Sequence, residues 1–135
     1  MLPLTWINYR EICLARRYQP DQADRWPDLK ELVAGTPQDH EEQIARYLES
    51  APNYNAAGSV VGDGLDPTIK VVLFPGTRTD GRFMWPMELA YYVRKYHVRM
   101  PADFTSHMDS RNWQAPTKAE LDWNAIYAAC ETAAG

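Results

Sequence analysis

Apolar residues in the first third of the chain recur at helical spacing. Trp6, Tyr9, Cys13 and the pair Arg16/Arg17 lie three or four apart and predict a helix over residues 5 to about 18, ended by Pro20. Residues 24–35 predict a short second helix, with Pro27 near its first turn and Gly35 at the C′ position. Thr36-Pro-Gln-Asp39 reads as an N-cap, a first-turn proline and an acidic third residue. The helix it opens is expected to reach about Ser50 and to bury Ile44, Tyr47 and Leu48. Pro52 and the polar Asn53-Tyr-Asn55 are expected to stop it.

The pattern then changes. A glycine-rich turn segment leads into the β-branched run of residues 68–74, the strongest strand signal in the chain. Asp80-Gly81 supplies the residues a tight hairpin turn needs for positive φ, and Phe83-Met-Trp85 follows as a short strand. Residues 68–85 therefore predict an antiparallel hairpin. Pro86 opens the next helix, whose apolar stripe is Leu89, Tyr92/Val93 and Tyr96; a shorter helix is expected over residues 101–108. Thr117-Lys-Ala-Glu120 is a capping box, expected to start a last helix carrying Leu121, Ile126, Ala129 and Cys130. The fold class expected is α+β, one domain over residues 1–135, with a helical N-terminal third, a small antiparallel sheet and C-terminal helices.

Composition narrows the function classes. With 45% hydrophobic and 24% charged residues in 135, the chain has the makings of a globular core and is not a disordered tract. No apolar run approaches the roughly 18 residues of a membrane span, and the N-terminus lacks the basic start and apolar segment of a secretory signal. Cys13 and Cys130, the two cysteines, fit a reduced chain better than a disulfide scaffold, so a cytoplasmic location is expected. A net charge of −4 argues against affinity built on phosphate neutralisation. Five Trp, eight Tyr and three Phe supply either core or interface.

Catalytic signatures are sparse. Ser59 lacks the Gly-x-Ser-x-Gly elbow of a serine hydrolase. His40, His97 and His107 form no metal-ligand spacing, so neither a metal nor a cofactor is expected. A helical His107–Asp103 pair is readable as structural. Asp63-Gly-Leu-Asp66 has half the ligands of a calcium loop and is better explained as a turn. Arg78, Asp80 and Arg82 at the hairpin tip form either a carboxylate-binding fork or a solvated turn.

Charge is unevenly spread. Residues 1–67 hold six Lys/Arg against eleven Asp/Glu, and residues 68–135 hold eight against seven. Asp21, Asp24, Asp28 and Glu31 recur at steps of three and four, and Asp39, Glu41, Glu42 and Glu49 follow in the next helix. Two neighbouring helices presenting these carboxylates would steer a basic protein partner.

Residues 79–104, from Thr79-Asp-Gly through Trp85-Pro86, Tyr91-Tyr-Val93 and Pro101-Ala-Asp-Phe104, followed by His107 and Trp113, carry a resemblance. The segment is similar to a signature of small bacterial proteins, many of them encoded beside polymorphic toxins. The resemblance implies an immunity protein: a non-catalytic chain that neutralises a cognate toxin by binding it, here through the acidic surface. Two other readings remain open. One is a small enzyme with a site assembled from Asp80, Arg82, Tyr91 and His97; the other is a structural or regulatory subunit with an exposed aromatic patch.

Overall fold

The computed structural model describes residues 5–7, 29–56, 62–72 and 76–134, with the side chains of residues 5, 6, 56 and 130–134 outside the description. The elements are β1 (Thr5–Trp6), α1 (Leu29–Leu32), α2 (Glu41–Ser50), β2 (Asn53–Ala56), β3 (Gly76–Thr79), β4 (Phe83–Pro86), α3 (Leu89–Tyr96), α4 (Ala102–Ser110), a 3₁₀ turn (Lys118–Glu120) and α5 (Trp123–Ala134). The class is α+β. One sheet runs in the order β1-β4-β3-β2; β2, β3 and β4 are antiparallel, and the two residues of β1 lie parallel to β4.

Strand β4 explains the layering. Phe83, Met84, Trp85 and Pro86 are all buried, because both faces of the sheet are covered. Phe83 and Trp85 join the main core with Ile44, Tyr47 and Leu48 of α2, Leu89 and Val93 of α3, and Phe104 and Met108 of α4. Successive side chains of a strand alternate between faces. Met84 accordingly falls in a second cluster with Ile126 of α5, flanked by Tyr54, Leu121 and Trp123. Aromatic rings supply much of this core: the Phe83 and Phe104 rings stack at 4.5 Å, and Tyr47 meets Phe104 edge-on at 6.3 Å. Trp85 is fully buried and donates its indole N–H to Leu48 O at 3.2 Å, so its polar atom is satisfied.

Several expectations shift by a turn. Helix α2 buries Ile44, Tyr47 and Leu48 as its periodicity requires, but it begins at Glu41, not after Thr36. Residues 36–40 are drawn elsewhere: the Gln38 side chain donates to Val98 O at 2.7 Å and accepts from Met100 N at 3.1 Å. Pro86 ends β4 and does not open α3. The Thr117–Glu120 box forms, with both reciprocal bonds, yet it closes only the 3₁₀ turn. The extended backbone of Leu121 breaks the helix there, and Asp122 supplies a second cap by accepting from Ala125 N at 3.1 Å.

Other segments differ in kind. Thr5–Trp6 is a strand, not the start of a helix, and residues 8–28 lie outside the described residues. Of the helix expected over residues 24–35, only Leu29–Leu32 is helical among the described residues. The β-branched run does not form the hairpin strand: residues 67–72 are turns and irregular chain. Asp66 accepts from the Thr68 N–H and hydroxyl, and Ile69 N–H donates to Asp66 O. The polar Asn53–Ala56 takes the strand place instead, paired with β3. The hairpin turn is real. Thr79 pairs with Met84, leaving Asp80 opposite Phe83 and Gly81 at φ 91°, where a side chain would also press on Leu121.

Candidate functional site

Three carboxylate networks hold the described elements together, and they account for much of the chemistry visible in the sequence. The first is at the hairpin tip. Asp80 Oδ1 accepts from Arg82 N–H at 2.9 Å and Phe83 N–H at 2.7 Å, the bonding of an Asx turn. Its Oδ2 accepts from the Tyr47 hydroxyl at 2.6 Å. Burial, then the neighbouring Asp80 charge, pushes the Tyr47 phenol far above its usual range, so it stays a donor. His107 Nε2 lies 3.3 Å from Asp80 Oδ2 without forming a hydrogen bond to it, and this buried nitrogen has no hydrogen-bond partner among the described residues. His107 therefore faces Asp80 and not Asp103, whose carboxylate accepts from Phe104 N–H.

The second network pins the 62–72 segment to α3. Asp63 Oδ1 accepts from Leu65 N–H at 2.7 Å and Asp66 N–H at 3.1 Å. Its Oδ2 accepts from the Tyr91 hydroxyl at 2.8 Å and the Tyr96 hydroxyl at 2.7 Å, with Lys95 Nζ at 3.6 Å. Gly64 N–H donates to the Tyr92 hydroxyl at 2.8 Å. Burial pushes the Asp63 carboxyl up, but the Tyr96, Tyr91 and backbone hydrogen bonds outweigh it and hold the group below the usual carboxylate range. The Asp63–Asp66 motif is the turn expected of it.

The third network lies across α2 and α3. Glu41 Oε2 is 2.8 Å from His97 Nδ1, at a residue whose backbone is left-handed (φ 56°) and closes α3. Arg94 bridges two carboxylates of α2, reaching Glu49 through Nη2 at 2.7 Å and Nε at 3.1 Å and Glu42 through Nη1 at 2.8 Å. Arg46 adds a further pair to Glu42 at 3.0 Å. Arg94 is the foremost reason the Glu42 carboxyl is held below its ordinary range.

The expected acidic contact is thus divided. Glu31 and Asp39 are exposed and make no ion pair among the described residues. Glu42 and Glu49 are tied to Arg94, and Glu41 is bonded to the His97 ring. Asp21, Asp24 and Asp28 lie outside the described residues, as does Cys13, and the Cys130 side chain is not described. Nor do the four residues of the enzyme reading form one constellation. Asp80 bonds Tyr47, Tyr91 bonds Asp63, and His97 meets Glu41, while Arg82 is exposed at the turn. Arg78 is also engaged, donating to Ala51 O at 2.7 Å and Asn53 Oδ1 at 2.8 Å.

Open grooves flank these networks, two of them of about 540 Å³ each. One is lined by Asp80, Arg82, His107 and Arg111 against Leu121 and Ile126. The other lies between the start of α2 and the flank of α4, where Asp39, His40, Met100, Asp109 and Trp113 meet. The His40 and Trp113 rings stack there at 4.7 Å and 17°, each on a left-handed backbone (φ 61° and 60°). Among the described residues no group of three or more His, Cys, Asp or Glu is placed to hold a metal ion. No helix of the described residues is long and apolar enough to cross a membrane.

Sequence reasoning missed three features. Glu88 is buried at 4% exposure where α3 begins, and burial pushes its carboxyl up to about 7. An acidic residue before an apolar stripe reads as an ordinary helix start, so nothing in the pattern marks it. The Asp63–tyrosine network spans 28 to 33 residues and the Arg94–Glu42 pair spans 52, so spacing carries no trace of either. Compared with protein-family models, curated proteins and solved structures, the chain matches none.

Proposed function

We propose that this chain is a non-catalytic protein-binding protein of the immunity type, which neutralises a cognate bacterial toxin by covering a basic surface. The observation that carries the reading is the division among its polar groups. Of the four residues of the enzyme reading, Asp80, Tyr91 and His97 are each engaged in bonds that hold one part of the chain to another, and Arg82 stands apart from them, exposed at the turn. Glu31, Asp39 and Asp109, exposed acidic groups without a side-chain partner among the described residues, stand where a partner reaches them. Acidic outward groups of this kind accelerate encounter with a cationic surface.

The test is co-expression with the product of the adjacent gene. Growth inhibition by that product alone, relief on co-expression and co-elution in size exclusion are the expected results. Unrelieved toxicity with separate elution overturns the reading. Charge reversal then maps the face: Glu31→Lys with Asp39→Lys weakens the complex without unfolding the chain. Glu42 is a poor reporter, since reversing it also sets a cation against Arg46 and Arg94.

A further inference from the structure

We infer that the groove between the start of α2 and α4 receives an arginine side chain of the protein partner, an assignment that rests on the protein-binding reading above. Four observations converge. The groove carries two carboxylates, Asp39 and Asp109, both exposed and neither paired with another described residue. Among the described residues no Lys or Arg lines it. Its wall is the stacked His40–Trp113 pair, and Met100 adds an apolar, polarisable surface. Trp113 packs on the main core, so the wall belongs to the folded body of the protein.

These features select one occupant by chemistry. A guanidinium is planar, weakly hydrated and able to extend an aromatic stack while it donates to carboxylates on either side. An ammonium satisfies the charge but not the plane. An anion meets two like charges, and a purely apolar segment would strip water from Asp39 and Asp109 and leave both unpaired. The groove at the hairpin tip offers less. Its three carboxylates accept bonds from within the chain, and they face Arg82 and Arg111, so its charges are mixed.

The test uses the full chain, ¹⁵N-labelled, titrated with blocked tripeptides Gly-Arg-Gly, Gly-Lys-Gly and Gly-Glu-Gly. The Trp113 indole N–H and the amides of Asp39 and His40 are expected to shift with the arginine peptide. The lysine peptide should bind at least threefold more weakly, and the glutamate peptide should leave the groove untouched. Asp39→Asn with Asp109→Asn keeps the shape and removes the charge, and should lower arginine-peptide affinity about tenfold. Ser106→Arg, which fills the groove with a guanidinium of its own, should do the same. Equal responses to arginine and glutamate, or a response indifferent to these variants, overturn the inference.

Self-association abolished by the double variant would give the groove to a second copy and also overturn it. The same double variant is then measured against the adjacent gene product. A tenfold weaker complex supports the assignment; an unchanged one refutes it and leaves the protein-binding reading intact. If the native chain ignores that product but still takes the arginine peptide, the immunity reading falls and the chemistry of the groove stands.

Discussion

The Tyr47 hydroxyl donates a 2.6 Å hydrogen bond to Asp80 Oδ2, joining the middle of α2 to the hairpin tip across 33 residues in a buried site. The carboxylate also takes the two backbone N–H groups of the turn. One side chain therefore fixes both the hairpin's shape and its position on the helix. Tyr47→Phe preserves the ring's contacts with Trp85 and Phe104 and removes only the donor. A buried charge then loses a hydrogen bond, which costs about 1–3 kcal/mol. Urea unfolding should show a lower midpoint at unchanged slope. An unaltered midpoint would mean that the bond contributes nothing net.

Glu88 makes stability depend on pH in the opposite sense from most carboxylates. Burial raises it from the ordinary 4.5 to about 7 in the folded chain. Because the folded state holds this proton more tightly than the unfolded state, stability is full below about pH 4.5, falls as pH rises and levels off above about 7. That rise corresponds to about 3 kcal/mol as an order of magnitude. Glu88→Gln should stabilise the protein at pH 8 and change little at pH 4. Equal effects at both pH values would contradict the assignment.

Local signals survived into the structure where a short stretch of chain decides the outcome. The Asp80-Gly81 turn needs one residue at positive φ, and Gly81 takes it. The buried sides of α2 and α3 follow from spacing alone, since a helix has only one side to bury. Pairing in the sheet is not local. The 68–74 run has the β-branched residues of a strand, yet Asp63 and Asp66 hold its first half as turns. Asn53–Ala56, polar by composition, becomes β2 because β3 lies alongside it. Strand propensity describes fitness for a pleated surface and says nothing about which partner is within reach. The acidic helix face shows the same division: its carboxylates were legible, but Arg94, which engages Glu42 and Glu49, comes from far along the chain.

Asp63 gives the acid side of the pH profile. Although burial alone would raise its carboxyl, the donors around it hold it below the usual range. A carboxylate depressed by folding contributes stability that is present above its unfolded value, about 3.9, and lost as pH falls through the folded one. The contacts that would release are those of the 62–72 segment on Tyr91 and Tyr96. Relative to unprotected amides, hydrogen exchange at Leu65 and Asp66 should accelerate as pH falls through the folded Asp63 value and before global unfolding, since a protonated Asp63 is a weaker acceptor. Asp63→Asn should show that fast exchange already at neutral pH. Protection in the variant equal to the native chain would separate the segment's order from this carboxylate.

Arg94 distinguishes a structural from a functional use of the acidic helix. It is partly exposed and bridges two exposed carboxylates, the kind of pairing that solvent and salt weaken. Arg94→Ala should therefore leave the urea midpoint nearly unchanged, because the α2–α3 contact also includes the buried Ile44, Leu48, Leu89 and Val93. The same change unmasks Glu42 and Glu49 and makes the face more negative by one charge. If that face meets a basic toxin, association should be faster than for the native chain at low salt. The difference should shrink as the screening length falls to about 8 Å at physiological ionic strength. Stopped-flow mixing with the adjacent gene product at two salt concentrations reads this directly. A slower or salt-independent rate in the variant would place the contact on another face, with Arg94 itself among the groups the partner touches.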